Sequence, residues 1–151
     1  VKGIKSNPTQ HKFVATATVT LFGFKLEITS LRPHNGGEEE LGTASSDALE
    51  RDFTINTLFY NINEKKVEDL TGQAVHDIAQ GIIRTPMDPL HTLGRDPLRC
   101  MRCVRFAARF AKYHFTIHES LKNAILSPEI HKELMVNIAR QRIYTELTKM
   151  L

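Results

Sequence analysis

The chain has 151 residues, 41% of them hydrophobic and 25% charged, with 20 Lys and Arg against 17 Asp and Glu for a formal charge of +3. This is a globular balance, not a disordered or fibrous one, and the charge is too mild to mark a nucleic-acid binder by itself. Its apolar runs fall short of the ~18–20 residues of a membrane span, and two cysteines exclude both a disulfide framework and a four-cysteine zinc site.

Residues 12–32 predict two strands. Phe13, Ala15, Ala17 and Val19 alternate with polar or β-branched neighbours, and Phe24, Leu26 and Ile28 alternate with Lys25, Glu27 and Thr29. Period-two alternation argues a half-buried sheet, and Gly23 between the runs argues an antiparallel hairpin. Residues 33–42 carry Pro, Asn and three Gly, so they predict a loop. A helix is expected from Thr43, with Ser45, Ser46 and Asp47 as capping chemistry and ALERDFTINTLF as its body. Residues 60–70 predict a second hairpin around Asn63-Glu64-Lys65-Lys66. A short helix over 72–80 should close at Gly81, and Ile82–Thr85 should run extended towards Pro86.

From Asp96 the pattern turns helical to the end. Over 96–113, Arg99, Arg102, Arg105 and Arg109 fall within a sector of about 120° at the helical period, opposite Cys100, Met101, Cys103, Val104, Ala107 and Ala108. Asp96 followed by Pro97 predicts an N-cap with proline at the first helical position. A break near 114–117, a helix over 118–126 and a further helical stretch opened by Pro128 complete the chain. The expected division falls near residue 86, mixed α/β before it and all-helical after it.

Several residues carry possible chemistry, and pattern alone leaves each of them open. Glu27 on the polar side of its strand suits either a magnesium ion, which prefers oxygen ligands, or plain solvation beside Lys25. Asp52 and Asn56 are four apart and Arg51 adjoins them. They could hold the hydroxyls of a ribose and a phosphate, or form a surface ion pair. Asp96 and Arg99 offer acceptor and donors that match the edge of a base, or an i,i+3 salt bridge. Four arginines without lysine on one helix face favour phosphate, because the planar guanidinium fork suits it. Cys100 and Cys103 sit mid-helix on its apolar side and read as buried thiols rather than a redox pair. His114 and His118 lack the further ligands of a zinc site, and no glycine has the spacing of a phosphate-binding loop.

Four blocks resemble those of one family. GTASSDALERDFTINTLFYNI, VEDLTGQAVHDIAQGIIRTP, RDPLRCMRCVRFAARF and NIARQRIYTELTKML are similar, in order and spacing, to the conserved blocks of tRNA nucleotidyltransferases (CCA-adding enzymes) and bacterial poly(A) polymerases. The resemblance implies an α+β fold. Residues 1–86 would be the later part of a polymerase-β-like nucleotidyltransferase head, and 87–151 an all-helical neck. It implies transfer of C, C and A from CTP and ATP to the 3′ end of tRNA. The primer hydroxyl attacks the α-phosphate, pyrophosphate leaves, and two Mg²⁺ ions hold the attacking and leaving oxygens. Glu27 would be the third active-site carboxylate and a metal ligand. Arg51, Asp52 and Asn56 would contact the sugar and phosphates of the incoming nucleotide. Asp96 and Arg99 would act as a protein template for its base, and Arg102 and Arg105 would face phosphates. Arg142 and Glu146 would be structural support in the closing helix.

Three departures qualify this. The family's glycine-rich segment and Asp-x-Asp pair do not occur in residues 1–151. The resemblance therefore implies an upstream segment of roughly 80–120 residues on the usual domain scale and little activity for this piece alone. Arg95 stands where an acid precedes the template Asp. Glu50-Arg51 and Gln141-Arg142 replace an Arg-Arg and a Glu-Arg pair. The alternatives are a poly(A) polymerase or other A-adding relative, and a non-catalytic RNA-binding module descended from the family. An intracellular location follows from the resemblance: the cytoplasm, or the mitochondrion or nucleus in a eukaryote.

Overall fold

The computed structural model describes residues 2–4, 16–33 and 42–151. The chain forms two compact units, residues 1–50 and 51–151.

In the first unit, β1 (Lys2–Ile4), β2 (Thr16–Leu21) and β3 (Phe24–Thr29) form an antiparallel sheet in that order. Thr18 pairs with Glu27 and Val19 with Leu26, the register that the alternation demands. Phe22 and Gly23 both take positive φ, 49° and 81°, so the two-residue turn matches the twist of the strands it joins. β1 has no counterpart in the sequence reading. The predicted strand residues 12–15, and the predicted loop over 34–41, lie outside the described residues.

The expected half-burial of this sheet is met only in β2, where Thr16–Val19 are half-buried without alternating. Val19, Leu21, Phe24, Leu26 and Ile28 share one face, yet β3 is exposed along its whole length and Leu26 is 44% exposed. Among the described residues this unit adds only the six-residue helix α1 (Ala44–Leu49), too little apolar surface to cover a sheet.

Helix α1 begins as expected. Thr43 and Ser46 exchange side-chain and backbone hydrogen bonds in a capping box. Asp47 accepts from the Arg32 N–H at 3.2 Å and the Ser46 hydroxyl donates to the Arg32 carbonyl, which ties the helix to the strand exit. A Cβ on Gly42 would lie 2.1 Å from the Arg32 carbonyl oxygen, so only glycine permits this approach of two backbones.

The second unit opens with a 3-10 turn (Thr54–Asn56) and the hairpin β4 (Phe59–Asn61) and β5 (Lys66–Glu68), turned where predicted. Helix α2 (Ala74–Gln80) ends at Gly81 in the left-handed conformation. Then follow β6 (Ile82–Ile83), α3 (Pro89–Arg95), α4 (Arg99–Phe110), β7 (Thr116–Ile117), α5 (Glu119–Ile125), α6 (Pro128–Asn137) and α7 (Arg140–Thr148). β6 and β7 pair in parallel, so the stretch after residue 86 is not wholly helical.

Helix α3 is also new. Asp88 caps it, accepting from the His91 N–H at 2.9 Å, with Pro89 at its first position. It cannot continue into α4, because Asp96 precedes Pro97 and is pushed to extended backbone (φ −150°, ψ 92°). The core of this unit joins Phe53, Ile83, Leu93, Cys100, Cys103, Leu121, Ala124 and Ile130. Phe106 meets the Phe53 ring edge-on at 5.6 Å. Among the described residues no helix is long and apolar enough to cross a membrane.

Candidate nucleotide site

Helix α1 stops at Leu49, so Asp52 and Asn56 do not share a helix face as expected. The segment Asp52-Phe53-Thr54-Ile55-Asn56-Thr57 is built from β-branched residues and short polar side chains that bond the backbone outside a helix. Asp52 Oδ1 accepts from the Phe53 N–H at 2.9 Å and the Thr57 hydroxyl donates to the Thr54 carbonyl at 2.7 Å. The turn still assembles the predicted group. Asn56 Nδ2 donates to Asp52 Oδ1 at 3.0 Å, Arg51 Nη1 donates to the Asn56 carbonyl at 2.8 Å, and the Arg51 guanidinium lies 4.6 Å over the Phe59 ring.

The arginine stripe of α4 is partly consumed by carboxylates. Arg102 grips Asp52 Oδ2 through Nε at 2.8 Å and Nη2 at 2.6 Å, and its Nη1 lies 3.7 Å from Glu146. Arg105 Nε donates to the other oxygen of Glu146 at 2.7 Å, and Lys149 binds that carboxylate at 2.9 Å. Arg102 and Arg105, expected to face phosphates, each pair with a buried carboxylate, which needs a paired cation. Arg109, at the end of the stripe, is exposed. Burial pushes the Asp52 carboxyl upward, but the Arg102 charge and the hydrogen bonds from Asn56, Arg102 and the Phe53 N–H bring it below the ordinary carboxylate range. Glu146 behaves alike. Burial opposes its charge, and Lys149 and Arg105 more than offset that.

Asp96 lies in the turn that leads into α4. Its Oδ1 accepts from the Leu98 N–H at 3.3 Å and its Oδ2 from Arg142 Nη2 at 2.8 Å. It is not the expected N-cap, because α4 is capped two residues later at Leu98, with no side-chain bond, and Asp96 closes α3 instead. Arg99 Nη1 donates to the Thr92 carbonyl at 3.2 Å, at the C-terminal end of α3. Arg142, expected only as support, is therefore in direct contact with the expected template carboxylate.

Glu27 belongs to the first unit. Its side chain is 59% exposed and bonded to Lys25 at 2.7 Å, and that hydrogen bond and charge hold its carboxyl below the usual range. Among the described residues no three His, Cys, Asp or Glu groups cluster as metal ligands. A lone exposed carboxylate does not fit a magnesium ion, which needs several oxygens at near-octahedral angles. His118 caps α5, its ring accepting from the Ser120 N–H.

Sequence reasoning missed a buried network at Asp77. Asp77 Oδ2 accepts from the Thr54 hydroxyl at 2.7 Å and Oδ1 from Arg84 Nη2 at 2.7 Å. A single acidic residue in a seven-residue helix gave no signal of burial. Cys100 and Cys103 are buried, as read from the helical period, and burial pushes their thiols up to about 11 and about 12. The native protein should therefore react with a thiol-directed disulfide reagent at these two positions only at the rate of unfolding at neutral pH. Rapid labelling of both at pH 7, read by mass spectrometry, would contradict that.

The sequence profile described as the Poly A polymerase head domain matches residues 3–84. The tRNA nucleotidyltransferase cca1 of Schizosaccharomyces pombe is 44% identical over 154 residues, covering 98% of this chain and 30% of its own. The mitochondrial CCA tRNA nucleotidyltransferase of Saccharomyces cerevisiae is 38% identical, covering 98% of this chain and 28% of its own. The Bacillus stearothermophilus CCA-adding enzyme in complex with CTP shares the fold, with a TM-score of 0.79 at 23% identity over 99% of this chain and 35% of that one. A tRNA nucleotidyltransferase complexed with a primer tRNA and an incoming ATP analog gives 0.70 at 25% identity over 89% of this chain and 37% of that one. The chain thus spans about a third of the length of the relatives it matches.

Proposed function

Because the chain belongs to the tRNA nucleotidyltransferase and poly(A) polymerase family, we propose that its protein adds C, C and A from CTP and ATP to the 3′ end of tRNA without a nucleic-acid template. Residues 1–86 contribute to the head and 87–151 form the neck. Asp96 and Arg99 read the base, Asp52 and Asn56 take the sugar hydroxyls, and Arg51 takes a phosphate. Glu27 is the chain's candidate carboxylate for the reaction centre, and among the described residues no cluster of three possible metal ligands forms. The protein acts wherever tRNA matures, in the cytoplasm, nucleus or mitochondrion.

The observation that carries this reading is the pinning of Asp96. Leu98 N–H and Arg142 fix one hydrogen bond on each oxygen and leave the remaining lone pairs for a ligand. An ionised carboxylate only accepts, so it favours the exocyclic amine of C or A and disfavours the carbonyl that U or G presents at the same edge. Arg99, braced by Thr92, supplies the complementary donors.

The test uses the full-length protein, tRNA lacking its terminal three nucleotides, and each nucleotide separately. Incorporation of C followed by A is expected. Addition of A alone would establish the A-adding alternative, which the resemblance of several poly(A) polymerases keeps distinct. Asp96→Ala should lower the preference for CTP over UTP, as a ratio of kcat/KM, by about 1–3 kcal/mol, the scale of one good base contact. An unchanged ratio would remove the template assignment.

A further inference from the structure

Arg142 and Glu146 are four residues apart on α7 and therefore share one face of the helix, about 6 Å apart along its axis. Each meets a different part of the candidate site. Arg142 Nη2 holds Asp96 Oδ2 at 2.8 Å. Glu146 Oε1 lies 3.7 Å from Arg102 Nη1, and Arg102 in turn grips Asp52 Oδ2 with its other two nitrogens. Glu146 is itself locked, buried, with Arg105 on one oxygen and Lys149 on the other.

Asp96 and Asp52 stand on short turns, 96–98 and 51–57, rather than on the interior of helices. A turn alone does not hold a side chain to the half-ångström tolerance that recognition needs; a rigid element behind it does. α7 is the one helix that the ion pairs above connect to both carboxylates. We propose that α7 is a spacer bar that fixes the separation between the base-reading and the sugar-reading carboxylates. Arg142 is the positioning residue for Asp96, and Glu146, acting through Arg102, is the positioning residue for Asp52. The inference rests on the proposed function, since it takes Asp96 and Asp52 as the groups that meet the nucleotide. It adds that two residues one turn apart govern two separable kinds of selectivity.

Steady-state kinetics of the full-length protein on shortened tRNA test this through two ratios of kcat/KM: CTP over UTP for base choice, and CTP over dCTP for sugar choice. Glu146→Gln should lower the sugar ratio about tenfold, a typical coupling within one ion-pair network, and leave the base ratio within about twofold. Arg142→Gln should do the reverse. Lys149→Gln loosens the Glu146 carboxylate without removing it, so it should lower the sugar ratio less than Glu146→Gln does and keep the base ratio. Arg142→Lys and Glu146→Asp retain charge and guard against unfolded variants; smaller shifts in the same ratios are expected. A common loss for all nucleotides, or movement of both ratios by either variant, would make α7 a plain brace and overturn the inference alone. Wild-type protein that incorporates neither nucleotide would overturn the proposed function and the inference with it.

Discussion

Phe53→Ala is expected to destabilise the second unit by about 3–5 kcal/mol, the cost of a large buried ring lost together with the cavity it leaves. Phe53 is fully buried among Ile83, Leu93, Cys100 and Cys103, with the Phe106 ring edge-on against it. It is also the residue that follows Asp52 and whose N–H donates to that carboxylate. The ring thus anchors the turn carrying the sugar-binding candidates, and the variant should lose nucleotide affinity beyond its loss of stability. Urea denaturation followed by far-UV circular dichroism measures the first effect and calorimetric titration with CTP the second. A loss below about 1 kcal/mol, the range of an ordinary surface change, would show that the ring does not close this core.

The parts of this arrangement that sequence makes legible are local. Alternation gave the β2–β3 register, and Thr43 with Ser46 gave the start of α1, because strand faces and helix caps are set by neighbours two to four residues away. The end of α1 was not legible. Glu50 to Phe59 keeps a plausible apolar spacing, but its β-branched and short polar side chains bond the backbone of a turn instead. The missed α3 shows a different limit. Asp88-Pro89 and Asp96-Pro97 carry the same start signal eight residues apart, and only the extended backbone at Asp96 makes them two helices. The arginine stripe was visible as a face, yet its partners Asp52 and Glu146 lie 50 and 41 residues from the arginines they bind. Periodicity carries no information about such pairings, so the carboxylate partners of Arg102 and Arg105 were not legible. The family blocks drew attention to Asp52, Asn56, Asp96 and Arg99, and the structure shows what each one touches.

Asp77→Ala should be the most damaging single polar change in the second unit. Asp77 is fully buried, and its two oxygens take the Thr54 hydroxyl and the Arg84 guanidinium, both at 2.7 Å. Removing one partner of a buried pair leaves the other charge uncompensated, which costs about 3–5 kcal/mol. The lower end applies here, because the Arg84 side chain is 27% exposed and can regain some water. Arg84 Nε is already buried without a hydrogen-bond partner, so the arginine has no second acceptor at hand on that side. The Thr54 hydroxyl would retain only its longer contact of 3.3 Å to the Arg84 carbonyl. If the penalty is the stranded cation rather than lost packing, Asp77→Ala combined with Arg84→Met should be more stable than Asp77→Ala alone, since an apolar replacement of both partners removes the unpaired charge. Equal or greater instability of the double variant, in the same urea titration, would move the cost to packing. The Thr54–Asn56 turn hangs on this network through the Thr54 hydroxyl and through the Thr54 N–H, which donates to the Arg84 carbonyl at 2.8 Å. Asp77 therefore holds up the turn proposed to contact the nucleotide, and partial recovery of stability in the double variant should come with partial recovery of CTP affinity.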